Sequence, residues 1–324
     1  MLINIDFVFV LCYHFIGLRG VFMNNKSKTA LGIILSLLGG IFWGFSGSCG
    51  QYLFTYHGAD SKWIVTIRMI STGIILLIIS FARHKSKIFG VWKGKKNFFC
   101  MSAFTLFGLI LCQYSYFTAI AHSNAGTATV LQYLSPVMIL IFVCLKNKKL
   151  PALAEIIAII LAVGGTFIIA TGGDIDSLAV STPALFWGIA SAVFLVCYSL
   201  IPVPLLKVYD TPTVLGWGML AGGIALLPVF RPWEITPEIS LSLIGALSGI
   251  IIFGTVIAYT FYLEGIRLIG ATKASIVSSI EPVSATVISA LWLGTDFSGA
   301  DIIGFIMIIS TIFIISFHSA KKSG

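Results

Sequence analysis

Charge is scarce in this chain. Asp and Glu number 12 and Lys and Arg 20, so charged residues make up 10% of the 324. Soluble domains carry about 25%, and so few charges cannot dress a water-facing surface. Strands that alternate polar and apolar residues are missing, which argues against a membrane barrel. No Walker-type phosphate loop occurs, which excludes a built-in ATPase. The five histidines (His14, His57, His84, His122, His318) are scattered, with no His-Glu-x-x-His pair and no zinc-like spacing. No metal site, cofactor or catalytic cluster is therefore expected, and a membrane enzyme is disfavoured. The six cysteines (Cys12, Cys49, Cys100, Cys112, Cys144, Cys197) lie in apolar segments without a pairing rhythm and read as small buried hydrophobes. Rings of charge and repeated carbonyl filters, the marks of a selective channel, are not evident.

What is abundant is apolar length. Hydrophobic residues make up 58% of the chain, and mean hydropathy is +1.02. A helix crossing the hydrocarbon core needs roughly 20 apolar residues, and lipid leaves helices as the way to satisfy the backbone. The pattern predicts an all-α integral membrane protein of ten transmembrane helices, over 30–54, 62–82, 97–121, 124–145, 152–172, 182–206, 211–230, 239–263, 271–294 and 299–318. The net charge of +8 does not point to nucleic acid, because the cations sit in loops. Arg83, Lys85, Lys87, Lys93, Lys95 and Lys96 follow helix 2; Lys146, Lys148 and Lys149 follow helix 4; Lys207, Arg267 and Lys321-Lys322 follow helices 6, 8 and 10. The positive-inside rule then puts both termini in the cytoplasm of a multi-pass cell-membrane protein. Arg231 is the exception.

Residues 1–29 form an N-terminal segment. Leu2–Phe22 is apolar but interrupted by Asp6, His14 and Arg19, and no small-residue cleavage site closes it. Met23-Asn24-Asn25-Lys26 reads like a natural start, so translation from Met23 is one reading and a peripheral extra helix the other.

The rest divides into two halves, 30–172 and 182–318, that match each other. Phe42-Trp43-Gly44 recurs as Phe186-Trp187-Gly188. A shift of 146 then pairs Phe107-Gly108 with Phe253-Gly254, Tyr116 with Tyr262, Ala125 with Ala271, Pro136-Val137 with Pro282-Val283, and Glu155 with Asp301. Five helices is an odd number, so the second half would enter the membrane from the opposite side. Two inverted five-helix repeats can share a site near the midplane and rock to open it to either face. That plan points to secondary transport of a small molecule. A channel or a non-transporting scaffold is the alternative class.

These residues resemble the drug/metabolite transporter superfamily, with two EamA-type repeats. The resemblance rests on the two Phe-Trp-Gly motifs, Arg68, Tyr116 and Tyr262. It also rests on the Ala-rich runs into Leu134-Ser135-Pro136-Val137 and Ile280-Glu281-Pro282-Val283. It implies ten helices, termini inside, a central cavity for small organic solutes, and often export of amino acids or other metabolites. Family repeats often carry an acid just after the fourth helix. Asp296 fits, but the first half has Lys148-Lys149 there.

An ionisable group inside the bilayer costs about 2.5–3.5 kcal/mol on insertion scales. Glu281 falls near the centre of helix 9, followed by Pro282, which removes a backbone donor and clashes with the carbonyl near Ser278. Two readings stand: Glu281 binds a substrate amine or a coupling proton, or it is a hydrogen-bonded packing residue. Arg68, about six residues into helix 2, is expected nearer the outer side, binding a carboxylate, pairing with an acid or snorkelling to the interface. Glu155, Glu264 and Lys273 are expected at interfaces. Candidates for a mostly apolar cavity wall with polar tips are Trp43, Trp187, Gln113, Tyr114, Tyr116, Gln132, Tyr133 and Tyr262. Pro136 and Pro282 are the expected helix kinks. The implied partners are a small-molecule substrate and the lipid bilayer, with no ATPase subunit.

Overall fold

The computed structural model describes residues 25–123, 125–135, 138–139, 142, 145–146, 148, 151–171, 181–235, 237–293 and 299–322. Among these every regular element is helical. We number them α1 (Asn25–His57), α2 (Ser61–His84), α3 (Lys95–His122), α4 (Ala125–Gln132), α5 (Leu153–Thr171), α6 (Thr182–Leu200), α7 (Thr211–Phe230), α8 (Leu241–Ile269), α9 (Ala271–Trp292) and α10 (Gly299–Lys322). Seven of them, α1–α3 and α6–α9, are long and apolar enough to cross a bilayer. Leu153–Gly165 and Ile302–Thr311 are shorter apolar runs. Much of the expected fourth span, with Pro136, lies outside the described residues, as do 1–24 and Asp296.

Local signals set the helix starts. Asp60 caps α2 by accepting from the Lys62 N–H at 2.6 Å, and Ser240 caps α8 through the Leu243 N–H at 3.2 Å. Ser181 caps α6 through the Ala184 N–H, with Pro183 in the first turn where its missing donor costs nothing. Gly270, at φ +84°, is the one residue between α8 and α9. A side chain there would be strained. Helix α8 runs to Ile269, six residues past the expected end, because Leu263 and Ile266 are buried and extend its apolar face. Glu264 therefore lies inside the helix, where it accepts from Thr211 Oγ1 at 2.7 Å and pairs with Arg267 at 3.0 Å.

Two helices carry a widened π-helical stretch, Phe104–Ile110 in α3 and Gly249–Ile257 in α8. Adding 146 to Phe104 gives Ile250, so the two stretches fall at matching places in the repeats. Such widenings cluster at functional sites.

The most extensive helix pairings all join one half to the other. They are α2 with α7, α1 with α8 and α9, α3 with α6, and α5 with α10. Glycine allows the closest of them. A Cβ at Gly73 of α2 would stand 2.5 Å from the Leu220 backbone nitrogen of α7, and one at Gly40 of α1 would stand 2.5 Å from the Ser278 carbonyl oxygen. Ser48 Oγ donates to the Ala285 carbonyl at 3.3 Å and ties α1 to α9 again.

Candidate functional site

Helix α9 supplies the centre. Before Pro282 the helix tightens into a 3-10 turn, Ser278–Ile280. The Ser278 carbonyl, which can receive no donor from Pro282, accepts from the Glu281 N–H of the 3-10 turn and from the Tyr133 hydroxyl at 2.6 Å. Glu281 is 4% exposed. Its Oε1 accepts from the Tyr116 hydroxyl and its Oε2 from the Tyr133 hydroxyl, both at 3.3 Å. Tyr116 also lies 3.0 Å from Thr129 Oγ1. The second half's carboxyl is thus held by two tyrosines of the first half. Ser135 stands at the matching place in the first repeat (281 − 146 = 135), and its buried Oγ has no partner.

Helix α2 brings Arg68 to the same space. Arg68 is 2% exposed, so its side chain turns into the helix bundle rather than snorkelling outward. Its Nε donates to Thr255 Oγ1 at 2.5 Å and its Nη2 to the Gly254 carbonyl at 3.1 Å. Its guanidinium lies 5.2 Å from the Phe117 ring centre and 5.1 Å from that of Tyr259, within cation–π range of both. The π-helical stretch explains the fit, since a widened turn turns carbonyls away from the ordinary ladder and towards a neighbour. Thr255 Oγ1 in turn donates to the Ile250 carbonyl, five residues back, at 2.7 Å.

Between Arg68 and Glu281 lies a narrow cavity of about 30 Å³, room for a water molecule or two. Trp43 and Ser46 line it from α1, Cys112, Gln113 and Tyr116 from α3, and Gln132 from α4. The second half adds Leu195 and Tyr198 from α6 and Tyr259 from α8. Three lining groups, Trp43 Nε1, Gln113 Oε1 and the Tyr198 hydroxyl, are buried without a hydrogen-bond partner. Such orphans are uncommon in folded proteins. They give the cavity a donor, an acceptor and a hydroxyl that can do either. The ion pairs found among the described residues, His84–Asp210, Arg231–Glu234 and Arg267–Glu264, lie elsewhere, so Arg68 and Glu281 face one cavity without joining.

Six predicted residues meet at the cavity: Trp43, Arg68, Gln113, Tyr116, Gln132 and Glu281. Two stand one layer behind. Tyr133 bonds Glu281, and Tyr262 pairs with Ser199 at 3.0 Å and packs 4.7 Å from the Trp43 ring. Trp187 and Tyr114 do not reach it. They pack edge to face at 5.3 Å beside Phe186 and Phe230. The repeat places Trp187 like Trp43, but the cavity is off the symmetry of the side chains. Sequence reasoning missed Ser46, Cys112, Leu195, Tyr198 and Tyr259. Cys112 and Tyr259 had a signal, being four and three residues before Tyr116 and Tyr262 on the same helix faces.

A multi-pass helical membrane protein whose two halves enclose a buried polar cavity has the plan of a membrane transporter. The EamA-like transporter family matches the chain over residues 30–171 and 182–317. The chain belongs to that family. It is 37% identical over 296 residues to an uncharacterized inner membrane transporter, YicL, of Salmonella typhimurium, covering 91% of this chain and 98% of that one. It is 26% identical over 304 residues to an uncharacterized transporter of Clostridium kluyveri, covering 90% and 94%. A crystal structure 18% identical in sequence superposes with a TM-score of 0.71 over 92% of this chain and 99% of the other, which establishes the likeness of fold.

Proposed function

We propose that this protein is a secondary transporter of the inner membrane that exports a small organic solute by alternating access, and that the cavity between Arg68 and Glu281 is its substrate site. The observation that carries this reading is the set of unpartnered polar atoms, Trp43 Nε1, Gln113 Oε1 and the Tyr198 hydroxyl, on one wall system with a buried acid and a buried base. A space walled by four aromatic rings and several convergent polar groups suits a small organic ligand. The cavity is too narrow for an open water path, which favours a carrier over a channel. Admitting a metabolite requires the halves to part, and the cross-half helix pairings supply the surfaces on which they do so. Ten helices in two inverted sets, with both termini cytoplasmic, belong to the same proposal and rest on the internal repeat and the loop cations.

Glu281 serves in this scheme as the coupling carboxyl. The single Tyr133 hydroxyl hydrogen faces two acceptors, the Ser278 carbonyl at 2.6 Å and Glu281 Oε2 at 3.3 Å. A proton arriving on Glu281 would serve the longer contact, so proton uptake changes the hydrogen-bond pattern of α9 without moving a second charge. The test is flux in proteoliposomes under an imposed pH gradient, screened over metabolite mixtures. Substrate-dependent, saturable counterflow is expected, and Glu281→Gln should uncouple it from the gradient. Unsaturable flux would indicate a channel, no flux a scaffold, and gradient-driven flux retained in Glu281→Gln would remove the coupling role.

A further inference from the structure

We infer that the groove between α2 and α7 is a binding site for an anionic phospholipid of the cytoplasmic leaflet. The groove is separate from the cavity described above. Its free volume is about 480 Å³, much the larger of the two. Ile74, Leu77 and Ile78 wall it from α2, and Trp217 and Leu220 from α7. What makes it a slot, rather than the plain outer face of two helices, is the 3-10 segment Lys85–Trp92. The chain leaves α2 through Lys85 at φ +48° and turns back against α7. There the Ile88 carbonyl accepts from Trp217 Nε1 at 3.0 Å and the Gly90 carbonyl from the Tyr209 hydroxyl at 2.7 Å. Phe89 packs 5.3 Å from the Trp217 ring and closes the groove's end.

That closed end is where the charge is. From Lys85 to Lys96 the sequence holds five lysines and no acid, and all five (Lys85, Lys87, Lys93, Lys95, Lys96) are exposed. An apolar slot that ends beside a cluster of cations matches a molecule with a chain at one end and a phosphate at the other. The residues from Ile74 to Ala82 span about 12 Å at 1.5 Å per residue, which is a substantial part of one bilayer leaflet. Juxtamembrane lysines attract anionic headgroups. The groove adds the acyl-chain contact that a basic loop alone lacks, so the site should prefer phosphatidylglycerol over phosphatidylcholine and should hold it through delipidation.

The experiment is native mass spectrometry of the purified full-length protein, titrated with dioleoyl phosphatidylglycerol or dioleoyl phosphatidylcholine. The expected result is one phosphatidylglycerol retained at least fivefold more than phosphatidylcholine. The Lys85→Gln/Lys87→Gln pair should abolish the preference, and Ile78→Trp, which fills the groove, should lower retention of both lipids. Ile78 is 64% exposed and Lys85 and Lys87 are exposed, and the melting curves of both variants report whether they are folded. A second check is quenching by phosphatidylglycerol brominated on its acyl chains, of which Trp217→Phe should remove a distinct share. Equal retention of the two lipids, or a preference that survives both variants, overturns the site. A dimer in the spectrum that Ile78→Trp dissolves would assign the groove to a second copy of the chain and overturn it as well.

Discussion

Replacing Gly73 tests whether α2 and α7 really meet backbone to backbone. A Cβ at this position would lie 2.5 Å from the Leu220 nitrogen and 2.7 Å from its Cα and Cβ. Carbon atoms settle at about 3.5–4.0 Å, so the two helices must part by about 1 Å or more. None of the obstructing atoms is the free end of a flexible side chain, and none can swing aside. Overpacking of this kind costs about 1–3 kcal/mol, and a longer side chain costs more. Gly73→Ala should therefore lower the apparent melting temperature by several degrees, and Gly73→Leu should lower the folded yield. Gly245→Ala is the control. A Cβ there meets nothing within 4 Å, and alanine is the better helix former by about 1 kcal/mol, so stability should hold or rise. The assay is thermal unfolding in one detergent, followed by fluorescence-detected gel filtration. Equal melting of Gly73→Ala and Gly245→Ala would refute the close approach, and with it the crossing of the halves at this seam.

Other outcomes follow from the cavity. Arg68→Lys keeps the charge but loses the two-pronged grip on Thr255 and Gly254; with interhelical bonds near 0.6 kcal/mol each and the ring contacts beside them, about 1–3 kcal/mol of stability should go, read as a fall in melting temperature with flux reduced. Trp43→Phe should raise KM for the substrate severalfold, whereas Trp187→Phe should leave KM unchanged, because only the first indole lines the cavity. With the other cysteines replaced by serine or alanine, Cys112 should react slowly with a small membrane-impermeant thiol reagent and be protected by substrate; rapid labelling that substrate does not slow would argue against occlusion.

The repeat was legible because two kinds of signal coincided. The register of Phe-Gly, Tyr and Pro-Val at one shift gave the halves, and the apolar runs gave helices whose order the structure follows. Glu281 could be read as a polar centre because a charge before a proline in lipid has few explanations, and the freed carbonyl at Ser278 is where proline chemistry puts it. The partners of Arg68 were not legible for a physical reason. Depth along a helix is readable from spacing, but the direction a long side chain takes depends on a neighbour, and here that neighbour is a widened turn of α8 almost two hundred residues away (255 − 68 = 187). Trp187 stands away from this cavity, since repeat symmetry governs backbones more strictly than the contents of a cavity. Tyr198 and Leu195 carried no periodic or charge signal, and only their packing places them at the wall.

The interlocking of the halves bears on how the protein is made. Among the described helices α1 emerges first from the ribosome, yet its closest companions are α8 and α9, among the last to be synthesised. Until they arrive, Gly40 and Gly44 present an unfilled notch to the lipid, and Trp43 has no Tyr259 or Tyr262 to lean on. Assembly is therefore a late event that closes almost at once, and a ribosome halted midway leaves a chain with no partner for most of its contact faces.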